Sequence, residues 1–462
     1  MEKNKRVGEK TSLLMRRDQQ ESVPGSLARI GPMVFLHTLG WSFSEVKLTD
    51  QIVYQACVVH LGSAEGGCSR LGQDNVTTAG TQLEQVVQPF AACVSMSIVL
   101  LTSVVPALAA LFFGPWSERF GRKPVIGVAS VGYLLSYLLI ALIGHLSTYY
   151  IVTPWFYVAA NIPVAFLGGF SVFNAGIFSY MNDVSNESNR TVRMGALQGF
   201  TILGVLSGLF ASSWTAGAIS ITTSFLISSA IQFVSLLLLI FLMRESVQVD
   251  RSVRTRQKLA AIFKLDRVRD MKRTLLQDRP DGGRTIVWFL IAIGGMVELA
   301  TAGRVLFFLY TRHEFGWNIQ QYSLWLSSEF AVIMLGNLFG ILALRKLFRV
   351  SDLGLLLLST VNHLGDFLIK GFARQGWQLY LTTFLTPFKG IDGAAARSLL
   401  AKILPPDEVG RTYAMDLSVK ALTPLVSVFL LTSIYNGTLD SDPSVFLFVT
   451  CLAFVLNLGL VG

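Results

Sequence analysis

Ionisable side chains are costly inside stretches apolar enough to cross a bilayer, and where they occur they bind solutes, relay protons or neutralise one another. The second half of this sequence is rich in them: Glu298, Arg304, Glu329, His363, Asp366, Lys389, Asp392, Arg397, Asp416 and Lys420. A guanidinium grips a carboxylate through two parallel hydrogen bonds and stays charged, so Arg397 is the first candidate for holding an organic anion. Lys389 precedes it by eight positions, which on a continuous helix returns to within about 80° of the same face. Asp392 lies between the two, and Gln198 is a further candidate for lining the substrate cavity. Lys389–Asp392 and Asp416–Lys420 also have the spacing of helical ion pairs, which would make them structural. Glu298 and Glu329, acids in apolar surroundings, are candidates for carrying a proton. The chain shows no nucleophile elbow, phosphate loop or metal-ligand spacing, and its five histidines are scattered. The expectation is a protein that is not an enzyme and needs neither metal nor cofactor, with a small organic solute and a proton as its partners.

The elements that must position these residues are membrane helices. Of 462 residues, 52% are hydrophobic and only 15% charged, against about 25% charged in ordinary soluble proteins. Apolar runs of bilayer-spanning length recur near 30–55, 88–113, 124–146, 152–180, 194–217, 220–243, 285–310, 322–344, 351–371, 377–403, 412–436 and 444–462. The predicted fold is all-α, twelve transmembrane helices in two six-helix bundles. The organisation expected is a cytosolic tail (1–29), a first bundle (30–243), a basic cytosolic linker (244–284) and a second bundle (285–462). Within the linker, Leu259, Ile262, Phe263, Leu265 and Val268 have the spacing of an amphipathic helix lying on the inner leaflet.

The formal net charge of +9 does not indicate nucleic acid, because the basic residues follow the membrane. The tail, the linker and alternate short loops hold most of them, whereas the opposite face offers little beyond Arg70, Arg312, Lys370 and Arg374. That bias predicts cytosolic termini. The first 29 residues lack an apolar leader core, so the first span is expected to act as the insertion signal. Of the four cysteines, Cys68 and Cys57 reach the face opposite the cytosol.

Between the second and third spans lies Gly114-Pro115-Trp116-Ser117-Glu118-Arg119-Phe120-Gly121-Arg122-Lys123. It resembles the loop signature of the major facilitator superfamily, with Glu118 where an aspartate is usual. Gly114, Glu118, Arg119, Gly121 and Arg122 are therefore candidate gating residues, the glycines for close approach and a tight turn and the acid to meet a helix N-terminus or an arginine. Gly195, Gly199, Gly204 and Gly208 in the fifth span are read as helix-packing positions.

Gly66-Gly67-Cys68-Ser69, the loop signature, Asp183-Val184-Ser185 with Arg190-Thr191-Val192-Arg193-Met194, and Arg397 to Lys402 followed by Glu408-Val409-Gly410 together resemble the proton-coupled folate transporter family (solute carrier family 46). The resemblance implies proton-driven symport of organic anions such as folates, peptidoglycan fragments or steroid conjugates. It makes Arg397 the substrate-linked arginine, adds Asn161 to the candidate substrate contacts and keeps the family's Asp183 as a candidate for proton coupling. It also places Gln198 at the family's proton-coupling acid, Asn161 at a substrate-linked arginine and Gly316 at the cysteine that would bridge to Cys68. Those departures leave room for a membrane sensor or adaptor without transport, or a proton-coupled drug antiporter.

Two further patterns bear on location. Glu9, Leu13 and Leu14 have the spacing of an acidic dileucine sorting signal for a clathrin adaptor, which points to endolysosomal membranes rather than the plasma membrane. Asn75 and Asn436 head glycosylation sequons on the non-cytosolic face, while Asn186 and Asn189 lie on the cytosolic side.

Overall fold

The computed structural model describes residues 23–61, 68, 78–185, 190–247, 283–301, 303–337, 343–344, 347–403, 416, 419–420 and 422–461. The dileucine residues Glu9, Leu13 and Leu14, the glycosylation candidate Asn75 and the amphipathic stretch 254–276 lie outside them.

In the first half, α1 (Val23–Leu61), α2 (Thr78–Phe120) and α3 (Arg122–Leu146) are long rods, α4 (Trp155–Ala160), α5 (Ile162–Phe166) and α6 (Gly169–Asp183) share the fourth span, and α7 (Arg190–Trp214) and α8 (Ile221–Leu242) finish the bundle. The second half has α9 (Gly283–Thr301) and α10 (Arg304–Phe315) in the seventh span, then α11 (Ile319–Leu335) and α12 (Asp352–Phe372). The tenth span is divided into α13 (Gly376–Leu385) and α14 (Asp392–Ile403), and α15 (Pro424–Thr438) and α16 (Val445–Val461) follow. Together they make twelve transmembrane rods. Seven helical stretches among the described residues are long and apolar enough to cross a membrane by length and composition alone.

Packing within the first bundle explains half of the glycine pattern. A β-carbon on Gly204 or Gly208 would collide with the carbonyls of Phe35 and Leu39 on α1. Without it, α1 and α7 come close enough for the Thr38 hydroxyl to donate to the Thr201 carbonyl at 3.2 Å. Gly195 and Gly199 correct the expectation: a β-carbon on either would meet nothing within 4 Å, so these two glycines pack no helix. α1 also runs past the stretch 30–55, and Cys57 near its end forms a disulfide with Cys68, Cα to Cα 5.7 Å.

Three spans are interrupted. In the fourth, Gly168 adopts φ 102°, a conformation that side-chain-bearing residues avoid. In the seventh, α9 ends at Thr301 and α10 begins after Gly303. In the tenth, Pro387 lacks the N–H a continuing helix would use, and residues 386–391 run as an irregular segment.

The halves are fastened at the face remote from the α2–α3 turn. Arg312 of α10 forms an ion pair with Asp50 of α1. Gln88 of α2 donates to the Leu309 carbonyl at 3.3 Å and accepts from the Tyr435 hydroxyl at 2.7 Å. The Ser213 hydroxyl donates to the Gln320 carbonyl at 3.0 Å. The largest apolar cluster follows the same face and contains both halves, with Tyr157 and Leu209 on one side and Leu309, Trp325 and Leu431 on the other. Two smaller cores stay within one half each.

Candidate functional site: a cavity at the broken spans

A cavity of about 320 Å³ lies in the second half, lined from α9 by Glu298, from α10 by Gly303, Arg304 and Phe307, and from α11 by Tyr322, Trp325 and Glu329. His363, Asp366 and Lys370 of α12 face it, as do Lys389 and Gly390 of the irregular segment and Asp392 at the start of α14. Thus both breaks in the second half open onto the same space. Irregular backbone is tolerated at membrane depth where it lines a cavity rather than lipid.

Four charges form one buried cluster in its wall. The Lys370 ammonium lies 2.8 Å from Glu329 Oε1 and 2.8 Å from Asp366 Oδ2. Lys389 reaches the same two oxygens, at 2.8 Å for Asp366 Oδ2 and in a direct contact with Glu329 Oε1. Two cations thus share two anions, and the cluster is electrically neutral. All four residues are at most 9% exposed, which is bearable for charges only when each is matched. The Lys370 ammonium is also enclosed by rings, with the centroids of Trp325, Phe307 and Phe367 at 4.9, 5.1 and 5.7 Å, an arrangement that favours a cation. The segment bearing Lys389 is pinned to α12: the Ser359 hydroxyl donates to the Lys389 carbonyl at 3.0 Å, and the Phe388 amide to Asn362 Oδ1 at 3.3 Å.

Arg304 stands apart from this cluster. It is exposed to the cavity and lies 5.3 Å from the Phe330 ring, and among the described residues no carboxylate pairs with it at ion-pair distance. It is within electrostatic reach of Glu298 in its own half and of Glu45 on α1. The residues lining the cavity all come from the second half, so Glu45 acts on Arg304 through its field and not as part of the lining.

Several expectations are corrected. Lys389 does not pair with Asp392, because the break at Pro387 takes it off the helix and turns it to Glu329 and Asp366. The same break removes the continuous helix on which Lys389 and Arg397 were placed together; the Arg397 side chain lies outside what is described. Lys370 does not mark a wet outer face but lies 5% exposed in the cluster. Its i,i+4 spacing from Asp366 was the available signal. Asp416 and Lys420 do pair, at 2.8 Å. Asn161 is buried, donating to the Tyr157 carbonyl at 2.8 Å at the α4–α5 junction, and Gln198 is exposed on α7; neither lines the cavity.

Asp183 is also placed away from the cavity. Its Oδ2 accepts from Arg122 Nε at 3.0 Å and from the Ser246 hydroxyl at 3.0 Å, at the end of the fourth span. Gly121, with φ 112°, is the single residue between α2 and α3. The acid at the start of α3 is Glu245, which accepts from the amides of Arg122 and Lys123 at 2.7 and 3.1 Å and so satisfies unpaired N–H groups of the helix end. Sequence inspection missed Glu245, which stands among the basic residues that open the linker. Gly114 lies within α2, and the side chains of Glu118 and Arg119 lie outside what is described.

The comparisons agree with this geometry. The pattern of the Major Facilitator Superfamily matches residues 87–415. The chain belongs to the major facilitator superfamily. Among its relatives, a probable peptidoglycan muropeptide transporter SLC46 of Drosophila melanogaster is 28% identical over 96% of this chain and 87% of its own. A lysosomal proton-coupled steroid conjugate and bile acid symporter, SLC46A3 of Gallus gallus, is 22% identical over 88% of each. The human organic anion transporter MFSD10 shares the fold, with TM-score 0.65 at 15% identity over 96% of this chain and 100% of that one. The protein is a secondary active transporter, a distant relative of the solute carrier family 46 members.

In this transporter the clamp at the α2–α3 turn has a counterpart in the second half with its charges exchanged. Arg122 at the start of the third span holds Asp183 at the end of the fourth. At the start of the ninth span, Asp352 holds Lys402 at the end of the tenth, at 2.5 Å, and accepts from Ser398 at 2.9 Å. The loop signature is absent from the second half, yet the bridge it serves is kept.

Asn436 departs from its expected role. Its amide is turned into the seam between the halves, 3.5 Å from the Pro89 carbonyl and 3.8 Å from Cys93 Sγ. A glycan there would have to replace these contacts. Asn436→Gln is therefore expected to leave the electrophoretic mass unchanged after glycosidase treatment and before it, and a loss of glycan mass would contradict this placement.

Proposed function

We propose that the protein is a proton-coupled symporter of small organic anions, carrying them with protons from an acidic endolysosomal lumen to the cytosol. The observation that carries this reading is the cavity between the broken seventh and tenth spans, where the Arg304 guanidinium faces solvent beside Glu298 and Asp392. A guanidinium not already neutralised by a carboxylate is free to bind one from the substrate. Glu298, exposed at the same cavity, is placed to exchange protons with its water. Arg397, carried by α14, is the second anion contact on the strength of the family resemblance. The volume lies at the lower end of the range of about 300–1,000 Å³ for small-molecule sites.

Three features support the location and direction. The relative from Gallus gallus is a lysosomal symporter, and Glu9, Leu13 and Leu14 have the spacing of an adaptor signal. The Cys57–Cys68 disulfide suits an oxidising compartment, which supports an orientation with that end of α1 opposite the cytosol. The halves, fastened on that same face, then describe an inward-facing state.

The test is uptake into vesicles of a labelled muropeptide, a sulfated steroid and folate, with an imposed pH gradient. At least one is expected to accumulate only when the side supplying it is the acidic one. Equal uptake of all three with and without the gradient would reject proton coupling. No uptake of any would reject the substrate class.

A further inference from the structure

The charge cluster explains how substrate and proton could be obliged to move together. Lys370 and Lys389 share the same two carboxylate oxygens but differ in freedom. Lys370 is enclosed by three aromatic rings and stands one turn from Asp366 on a regular helix. Lys389 has no ring over its ammonium among the described residues, comes from the irregular segment 386–391, and lines the cavity beside Gly390 and Asp392. Its backbone is held by Ser359 and Asn362, so only the flexible side chain has to turn.

We infer that Lys389 is the hook for a substrate carboxylate, and that its departure leaves the Glu329–Asp366 pair to take up the coupled proton. This rests on the symport reading above. The charges balance at each stage. In the empty site Lys370 and Lys389 neutralise Glu329 and Asp366. When Lys389 turns to an incoming carboxylate, the two form a neutral pair, and Lys370 alone faces two buried carboxylates. Two such groups sharing one ammonium cannot both stay ionised at low cost, so a proton from cavity water joins one of them. Neutrality is restored, and the loaded site carries one substrate carboxylate and one proton. A proton arriving first releases Lys389 and so favours the anion, which makes the coupling reciprocal. Among the described residues, the other ionisable groups that line the cavity or face the pair are Glu298 of α9, Arg304 of α10, Tyr322 of α11, His363 of α12, Asp392 of α14 and Cys451 of α16. None of them forms an ion pair with Glu329 or Asp366 at the distances of the two lysines.

The experiment measures protons taken up on binding, with a pH-sensitive dye in weakly buffered detergent solution. The probes are a muropeptide with a free carboxylate and the same compound with that carboxylate converted to an amide. About one proton per bound muropeptide is expected for the wild-type chain, and none for the amide. Lys389→Gln should bind the muropeptide at least tenfold more weakly, with no proton uptake, because its acids already hold the extra proton. Lys389→Gln with Asp366→Asn keeps the cluster neutral, guards against misfolding, and should likewise bind without proton uptake. Lys389→Arg should retain uptake. Proton uptake that survives in both glutamine variants would overturn the assignment. So would wild-type binding without any proton uptake, while leaving Arg304 and the substrate class untouched. If the wild-type chain binds neither probe, the organic-anion reading itself fails and takes this assignment with it.

Discussion

Lys370→Ala is expected to destabilise the protein severely, with a melting temperature in detergent well below that of the wild type and little folded protein recovered. The lysine sits 2.8 Å from each of two buried carboxylates. Its removal leaves Glu329 and Asp366 to share Lys389 alone and empties a space between Trp325, Phe307 and Phe367. Breaking a buried ion pair on one side costs about 3–5 kcal/mol, against a total stability of about 5–15 kcal/mol for a typical folded domain. Charge matching, rather than the lysine as such, is the stabilising requirement. Lys370→Leu combined with Asp366→Leu should therefore recover much of the lost melting temperature, although transport would not return. A lone Lys370→Ala that melts with the wild type would show that a bound proton can replace Lys370 in neutralising the acids.

Arg304→Ala is expected to raise KM for the transported anion by roughly ten- to a hundredfold, the equivalent of losing a charged hydrogen bond of about 1.5–3 kcal/mol. The melting temperature should hardly change, because the guanidinium is exposed to the cavity and makes no ion pair among the described residues. Arg304→Lys should recover only part of the affinity, since an ammonium cannot offer the two parallel donors of a guanidinium. Arg397→Ala, assayed beside it, separates the two arginines. If KM rises in Arg397→Ala alone, the anion is held further along the tenth span and Arg304 serves the Glu45–Glu298 electrostatics instead.

These two variants exploit a division of labour between paired and unpaired charge. The paired cluster ties α11, α12 and the irregular segment together in the cavity wall, and the Arg304 guanidinium, without an ion pair among the described residues, is the group proposed to bind the anion. The break at Pro387 is what allows both. A continuous tenth helix would hold Lys389 in regular register with Asp392, whereas the irregular segment lets it reach Glu329 on another span.

The sequence by itself determined the class of protein. Apolar runs of spanning length must form helices in lipid because every backbone N–H and C=O has to be satisfied within the segment. The even division about the basic linker and the loop from Gly114 to Lys123 then led to the superfamily. Local spacing also predicted the Asp416–Lys420 pair, since residues four apart on a helix are neighbours. Contacts between helices were decided only by the tertiary structure. Nothing in the neighbourhood of Glu329 announces that two lysines, 41 and 60 positions away, will meet it. Gly204 and Gly208 pack while Gly195 and Gly199 do not, although both pairs have the same internal spacing, because only the former pair faces α1. Lys389 and Asp392 form no pair because a proline between α13 and α14 turned the chain, and Glu245, distant in sequence, meets the start of α3. Which charges neutralise one another, and which remains available to a substrate, depends on distances across the bundle that periodicity along the chain does not encode.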